Sequence, residues 1–239
     1  MTEQTFDAVP SVTADQMREV DRAMTEDFHI ELVQMMENAG RNLAELALGR
    51  FKPSNVVVLV GPGGNGGGGL VGARHLINRG VDVHVVLSGN EADLTPVPAH
   101  QLDILRRMNV SVVDAPSGAD LVIDALIGYS LRGDPHGRAA ELIAWANQQP
   151  SPVLALDAPS GLDVTTGEPG TPCIRATATM TLALPKTGLI DATDVVGDLY
   201  LADISVPPAL YERMGLEVSA LFQGGTVIRL NSPDRDSEQ

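Results

Sequence analysis

The chain has 239 residues, a formal charge of −15 and 44% hydrophobic residues. That length supports one large α/β domain with a sizeable core, and no apolar run approaches the length that spans a bilayer. The acidic balance, 16 Lys and Arg against 31 Asp and Glu, argues against nucleic acid and anionic membrane as partners, because both call for a basic surface.

The first ten residues, MTEQTFDAVP, carry two acids and no Lys or Arg. They fit neither a secretory nor a mitochondrial targeting peptide and read as a disordered end. Thr13 to Arg50 should hold two helices. The first, TADQMREVDRAM, opens on Thr13 as N-cap with acids in its early turns. The second, LVQMMENAGRNLAELAL, is apolar at helical spacing. The rhythm then changes to short β-branched runs alternating with helices. Strands are expected at 56–61, 81–87, 109–114, 120–126 and 152–157, and helices at 67–79, near 97–108 and near 137–148. The strands are apolar throughout, so both faces of the sheet should be covered. This pattern predicts a three-layer α/β/α fold, a Rossmann-like, doubly wound and mostly parallel sheet. Two further runs, 178–184 and 197–204, lack a long helix between them and should extend the sheet at one side. The whole forms one domain over 11–231, and SPDRDSEQ (232–239) reads as a disordered tail. Cys173 is the single cysteine, so no internal disulfide forms, which fits a reducing, cytoplasmic setting. TPCIRA offers no local pattern that would activate it as a nucleophile.

Open parallel sheets bind ligands beyond the carboxyl ends of their strands. Three strand ends aim chemistry at that edge. The run VVVLV leads into GPGGNGGGG, seven glycines in nine positions, whose only polar side chain is Asn65. DLVIDAL places Asp124 near its end, and PVLALD ends on Asp157 with Ser160 one short turn later. Each has an ordinary structural explanation: strand-end acids cap turns, Asn tolerates a positive φ, and Ser-Gly after Pro is a common turn. Their convergence on one edge points to a site. The five histidines (His29, His75, His84, His100, His136) show no ligand spacing and read as structural or solvent-facing.

Gly61, Gly63 and Gly66 satisfy G-x-G-x-x-G between a strand and a helix. A dinucleotide site of that kind also needs an acid closing the second strand, and VDVHVVL instead ends at Ser88-Gly89. No Gly-Lys-Ser/Thr follows the loop, so a Walker loop fails too.

Residues 11 to 216 resemble the NAD(P)H-hydrate epimerases, also called the YjeF N-terminal domain. GPGGNGGGGL and ARHL are similar to that family's glycine loop and helix, DALIGYSLRG (Asp124 to Gly133) to its fourth-strand motif, and DAPSGLDVTTG (Asp157 to Gly167) to its D-x-P-S-G-x-D motif. MMENAGRNLAELA, TLALPKTGL and GDLYLADISVPPALYERMG also fit its frame. The resemblance implies an isomerase of nicotinamide cofactor repair, interconverting the R and S forms of hydrated NADH or NADPH. A dehydratase specific for one epimer then restores the cofactor. It implies a bound potassium ion with Asn65, Asp124 and Ser160 as ligands. It implies substrate contacts at Gly64, Asn65, Gly66, Gly67 and Gly68, at Gly128, Tyr129, Ser130, Leu131, Arg132 and Gly133, and at Asp157. Epimerisation needs loss and return of a hydroxyl through a planar cation, and Asp157 is assigned the proton shuttle. The loop N–H groups at a helix start suit a pyrophosphate.

Two positions depart from the family's loop: Gly64 stands where it has Asn, and Gly68 where it has Asp. The second removes a carboxylate at the mouth of the helix and keeps open another reading, a catalytically impaired nucleotide-binding paralogue serving as sensor or partner protein. Many relatives fuse this domain to the dehydratase, so a dehydratase encoded separately, or none at all, is expected here. Family members often form homodimers, for which Leu32, Val33, Met35 and Met36 are candidate contacts, although packing on the sheet explains them equally simply.

Overall fold

A computed structural model describes residues 2–5, 9–218 and 221–231. Eight strands form one sheet: β1 (Thr2–Thr5), β2 (Asn55–Val60), β3 (Asp82–Leu87), β4 (Leu121–Ala125), β5 (Val153–Leu156), β6 (Ala178–Leu182), β7 (Asp198–Ala202) and β8 (Val227–Asn231). Their order is β1-β8-β7-β6-β5-β4-β2-β3. All pairs are parallel except β7 with β8. The helices are α1 (Ala14–Glu26), α2 (Leu32–Arg50), α3 (Gly64–Ile77), α4 (Pro96–Arg107), α5 (Gly137–Asn147), α6 (Thr193–Val196) and α7 (Pro208–Arg213).

The sheet is covered on both faces, as its uninterrupted apolar runs require. Val56, Val58, Val60, Ile123 and Leu156 pack with Leu43 and Leu46 of α2, Leu70 and Leu76 of α3, and Leu102 and Leu105 of α4. On the opposite face Val57, Leu59, Val122 and Ala155 pack with Leu142, Ile143 and Ala146 of α5. Met17, Val20 and Met24 of α1 join Leu210 and Tyr211 of α7 around Leu199, Leu201 and Ile228. Thr13 caps α1 as expected, and Gln16 completes a capping box.

Three differences from the sequence reading have physical causes. The N-terminus expected to be disordered contains β1, because β8 turns antiparallel onto β7 and leaves an open edge that residues 2–5 fill. Val9 is also buried, whereas the expected disordered tail 232–239 lies outside the described residues. Residues 109–114 form no strand; they touch the β3 edge by the single bridge Val85–Val112. The glycine run is mostly helix, not loop, since α3 starts at Gly64. Its glycines serve packing there. A Cβ on Gly66 would come within 1.9 Å of the Gly61 carbonyl oxygen, and one on Gly67 within 2.4 Å of Met36 Sδ. The two late runs do extend the sheet, with α6 and β7 following β6.

Candidate active site

The carboxyl ends of β2, β4 and β5 surround a cavity of about 270 Å³. Its polar wall holds Asp21, Gly64, Asn65, Gly68, Gly128, Tyr129, Ser130 and Asp157. Its apolar wall comes from Met17, Leu32, Met35, Met36, Leu156 and Ile204, among others. The helix α3 points its first turn at this space, and the first N–H bonded within the helix is that of Gly67, to Gly63. The preceding N–H groups and the positive end of the helix dipole thus lie at the cavity.

Asp157 follows β5 directly and is 4% exposed. Its φ of 68° is the left-handed region, which costs a non-glycine residue about 1–3 kcal/mol and persists only where the surroundings enforce it. They do so here. The Asp157 N–H donates to the Met180 carbonyl at 2.7 Å, Oδ2 accepts the Tyr129 N–H at 3.0 Å, and Oδ1 accepts a hydrogen bond from Lys186 Nζ. Lys186 is fully buried and also donates to Leu182 O at 2.9 Å and Thr181 Oγ1 at 3.2 Å. A buried ammonium needs all of these partners. Gly128 has to be small: a Cβ there would sit 2.9 Å from Asp157 Oδ2 and 3.3 Å from Asn65 Oδ1.

Tyr129 is held at both ends. Its N–H binds Asp157, and its hydroxyl donates to Asp21 Oδ2 on α1. Burial, then the neighbouring Asp21 charge, push the Tyr129 hydroxyl well above the usual tyrosine range, so it stays a donor. Burial also raises the Asp21 carboxyl, opposed by the Tyr129 hydrogen bond.

Asp124 and Ser160 are fully buried and do not line the cavity. They staple two loops together behind it. Ser160 N–H donates to Asp124 Oδ2 at 2.8 Å, Ser160 Oγ lies 2.6 Å from Asp124 Oδ1, and Ile127 N–H donates to Ser160 Oγ at 2.8 Å. Burial pushes the Asp124 carboxyl up to about 6, against the hydrogen bonds from Ser160 and Leu126. Two observations suit an oxygen-ligated monovalent cation at this edge. The partners of the buried Asp124 carboxylate are N–H and O–H donors, without a cationic side chain, and the Asn65 amide brings an Oδ1 acceptor to the same edge beside Gly128. Among the described residues no group of three His, Cys, Asp or Glu could hold a metal ion.

Of the sequence-predicted contacts, Gly64, Asn65, Gly68, Gly128, Tyr129, Ser130 and Asp157 line the cavity. Gly66 and Gly67 pack behind it, Leu131 lines a neighbouring pocket, and Arg132 and Gly133 lie outside the wall. Gly133 adopts φ 68° where an added Cβ would meet nothing, so it shapes the turn. Sequence reasoning missed Asp21 and Lys186. Met35 and Met36, candidate dimer contacts, are buried and line the cavity, while Leu32 and Val33 are exposed. No histidine lines it. Burial pushes the Cys173 thiol up to about 12, which keeps it protonated and unreactive. No helix of the described residues is long and apolar enough to cross a membrane.

Comparison with known proteins places this arrangement. The chain is 44% identical over 237 residues to an NAD(P)H-hydrate epimerase of Dehalogenimonas lykanthroporepellens, covering 95% of this chain and 96% of that one. It is 33% identical to an NAD(P)H-hydrate epimerase of Rhodopirellula baltica, covering 87% and 89%. A bifunctional NAD(P)H-hydrate repair enzyme of Hyperthermus butylicus is 41% identical over 78% of this chain, which spans only 37% of that longer protein. The crystal structure of yeast ynu0 shares the fold, with a TM-score of 0.82 over 93% of this chain and 100% of that one at 23% identity. Residues 32–188, which run from α2 through the segments carrying Asn65, Gly128 and Asp157 to the turn holding Lys186, match the family described as YjeF-related protein N-terminus, and the chain belongs to that family.

Proposed function

We propose that the protein is an NAD(P)H-hydrate epimerase, interconverting the R and S forms of hydrated NADH and NADPH. The observation that carries this reading is Asp157: a strained, ion-paired carboxylate facing a small, largely apolar cavity, in a chain 44% identical to a protein of that name over almost its whole length.

In this reading the hydrated ring enters the cavity against Met17, Met35 and Met36, which exclude bulk water from the reacting carbon. The departing hydroxyl takes up a proton as its C–O bond breaks, and the ring becomes a planar cation. Asp157, protonated as the step begins, supplies that proton; the carboxylate so formed faces the ring cation and takes a proton back from the returning water. Return on either face yields either epimer. Lys186 and the Tyr129 N–H hold the carboxylate in place from behind. The start of α3 takes the pyrophosphate through backbone N–H groups, which suits an anionic ligand on a protein of charge −15.

Asn65, Asp124 and Ser160 would hold a potassium ion, which supplies positive charge beside the buried Asp124 carboxylate. A rise in melting temperature with potassium chloride, not reproduced by tetramethylammonium chloride, tests that ion apart from activity. The reading includes a cytoplasmic location, functional coupling to an NAD(P)H-hydrate dehydratase, and a homodimer through the exposed Leu32 and Val33, which sedimentation velocity tests. The direct assay presents the R epimer with an S-specific dehydratase and follows recovered NADPH absorbance, with and without potassium. An impaired paralogue would leave the R epimer untouched while still binding nucleotide.

A further inference from the structure

We infer that Asp21, on the first helix, is a positioning residue for the reaction: through the Tyr129 hydroxyl it fixes the backbone amide that orients the Asp157 carboxylate. This inference rests on the epimerase reading above.

Among the described residues Asp157 Oδ2 accepts one hydrogen bond, from the Tyr129 N–H at 3.0 Å. That amide belongs to the loop after β4, and its orientation depends on how residue 129 sits. The Tyr129 ring cannot swing freely. Its hydroxyl donates to Asp21 Oδ2, and its face lies 6.0 Å from Lys186 Nζ, the ammonium that holds the other oxygen of Asp157. Tyr129 therefore touches the reacting carboxylate at its backbone, the carboxylate's counter-ion through its ring, and α1 at its tip. Tyr129 also lines both the main cavity and a second pocket of about 310 Å³ lined by Arg18, Leu131 and Asp163.

Asp21 is well placed to anchor this side chain. It sits in the middle of the 13-residue α1, whose buried face (Met17, Val20, Ala23, Met24) is locked into the core. A helix clamped in this way is a firmer support than the loop it steadies. The neighbouring acids of α1 are committed elsewhere: Asp15 pairs with Arg18, and Glu19 and Glu26 pair with Arg22. Asp21 instead spends its carboxylate in the cavity wall.

The test is a set of variants in the coupled assay, with kcat and KM measured separately: Tyr129→Phe, Asp21→Ala, Asp21→Asn and the Asp21→Ala/Tyr129→Phe double. Tyr129→Phe removes one oxygen and keeps the ring, so it probes the contact even where Asp21→Ala folds poorly. Each of the first two should lower kcat about tenfold with little change in KM, the loss of one charge-assisted hydrogen bond that acts on geometry. The double should lose no more than either single, because both remove the same contact. Asp21→Asn keeps an oxygen for the Tyr129 hydroxyl and should recover most of kcat. A purely structural role would lower the melting temperature and leave kcat per folded molecule unchanged. Wild-type kcat in Tyr129→Phe, additive losses in the double, or a raised KM at constant kcat would each overturn the inference. A wild-type protein that epimerises neither form would instead overturn the functional reading on which it stands.

Discussion

Replacing Lys186 by methionine removes one half of a buried ion pair and keeps most of the side-chain volume. The ammonium is 0% exposed and its carboxylate partner 5%, so the remaining Asp157 charge stays almost wholly buried without its counter-ion. Removing one partner of such a pair costs about 3–5 kcal/mol, because an uncompensated charge stays buried. For a chain of this size each kcal/mol shifts the melting temperature by about 2–4 °C, so a fall of about 10 °C is expected. Urea denaturation at neutral pH reads the same loss as a lower midpoint with an unchanged slope. The companion variant Lys186→Met/Asp157→Asn removes both charges. Asparagine tolerates the left-handed backbone at position 157, so stability should return towards wild type while epimerase activity does not. An unchanged midpoint in Lys186→Met, or a double variant less stable than the single, would refute the claim that this pair is held together by mutual charge compensation.

Gly128→Ala should lower kcat by at least about tenfold with a melting temperature within a few degrees of wild type, because the new methyl crowds Asp157 and Asn65 while the backbone accepts alanine; full activity would refute the crowding. The Gly64→Asn/Gly68→Asp variant rebuilds the family's loop: position 64 is open apart from Met36 Cε at 3.4 Å, and position 68 needs only the Leu156 side chain to shift. On the epimerase reading the parent is already active and the variant changes kcat/KM less than about tenfold; a large gain from a silent parent would favour the binding paralogue. Burial raises Asp124 from its ordinary 3.8 to about 6, so the folded state holds that proton more tightly than the unfolded chain. In potassium-free buffer its contribution to stability is complete below about pH 4 and lost as pH rises through about 6. Asp124→Asn should flatten that slope in urea titrations, and a slope of equal size in the variant would contradict it.

The β-branched runs made the parallel core of the sheet legible, because strands buried on both faces carry their apolar character without interruption. Its far edge was not. β1 is TEQT, with no apolar residue, and its pairing depends on β8 lying beside it. Residues 109–114 carry a strand-like composition yet lie at the outer edge, where one bridge is all the pairing they gain. The glycine run suggested a loop, since glycine is a poor helix former, but contact with Gly61, Met36 and Ala125 leaves no room for a larger residue at Gly66, Gly67 and Gly69 of α3. In the site, Asn65 and Asp157 were legible as polar residues at the ends of apolar strands. Lys186 and Asp21 were not. A lysine in a loop and an acid in a charge-rich helix both read as solvent-facing, and only tertiary packing brings one to Asp157 and the other to Tyr129. Asp124 and Ser160 pointed to the edge where the cavity lies, although they brace it from behind.

The central claim is that the Asp157 carboxylate carries the epimerisation. The measurement that bears on it most directly compares wild type with Asp157→Asn in the coupled assay, starting from the pure R epimer with an excess of S-specific dehydratase. The account predicts NADPH recovery by wild type far above the uncatalysed rate, and recovery at the uncatalysed rate by a folded Asp157→Asn protein. Recovery by that variant at the wild-type rate would contradict it.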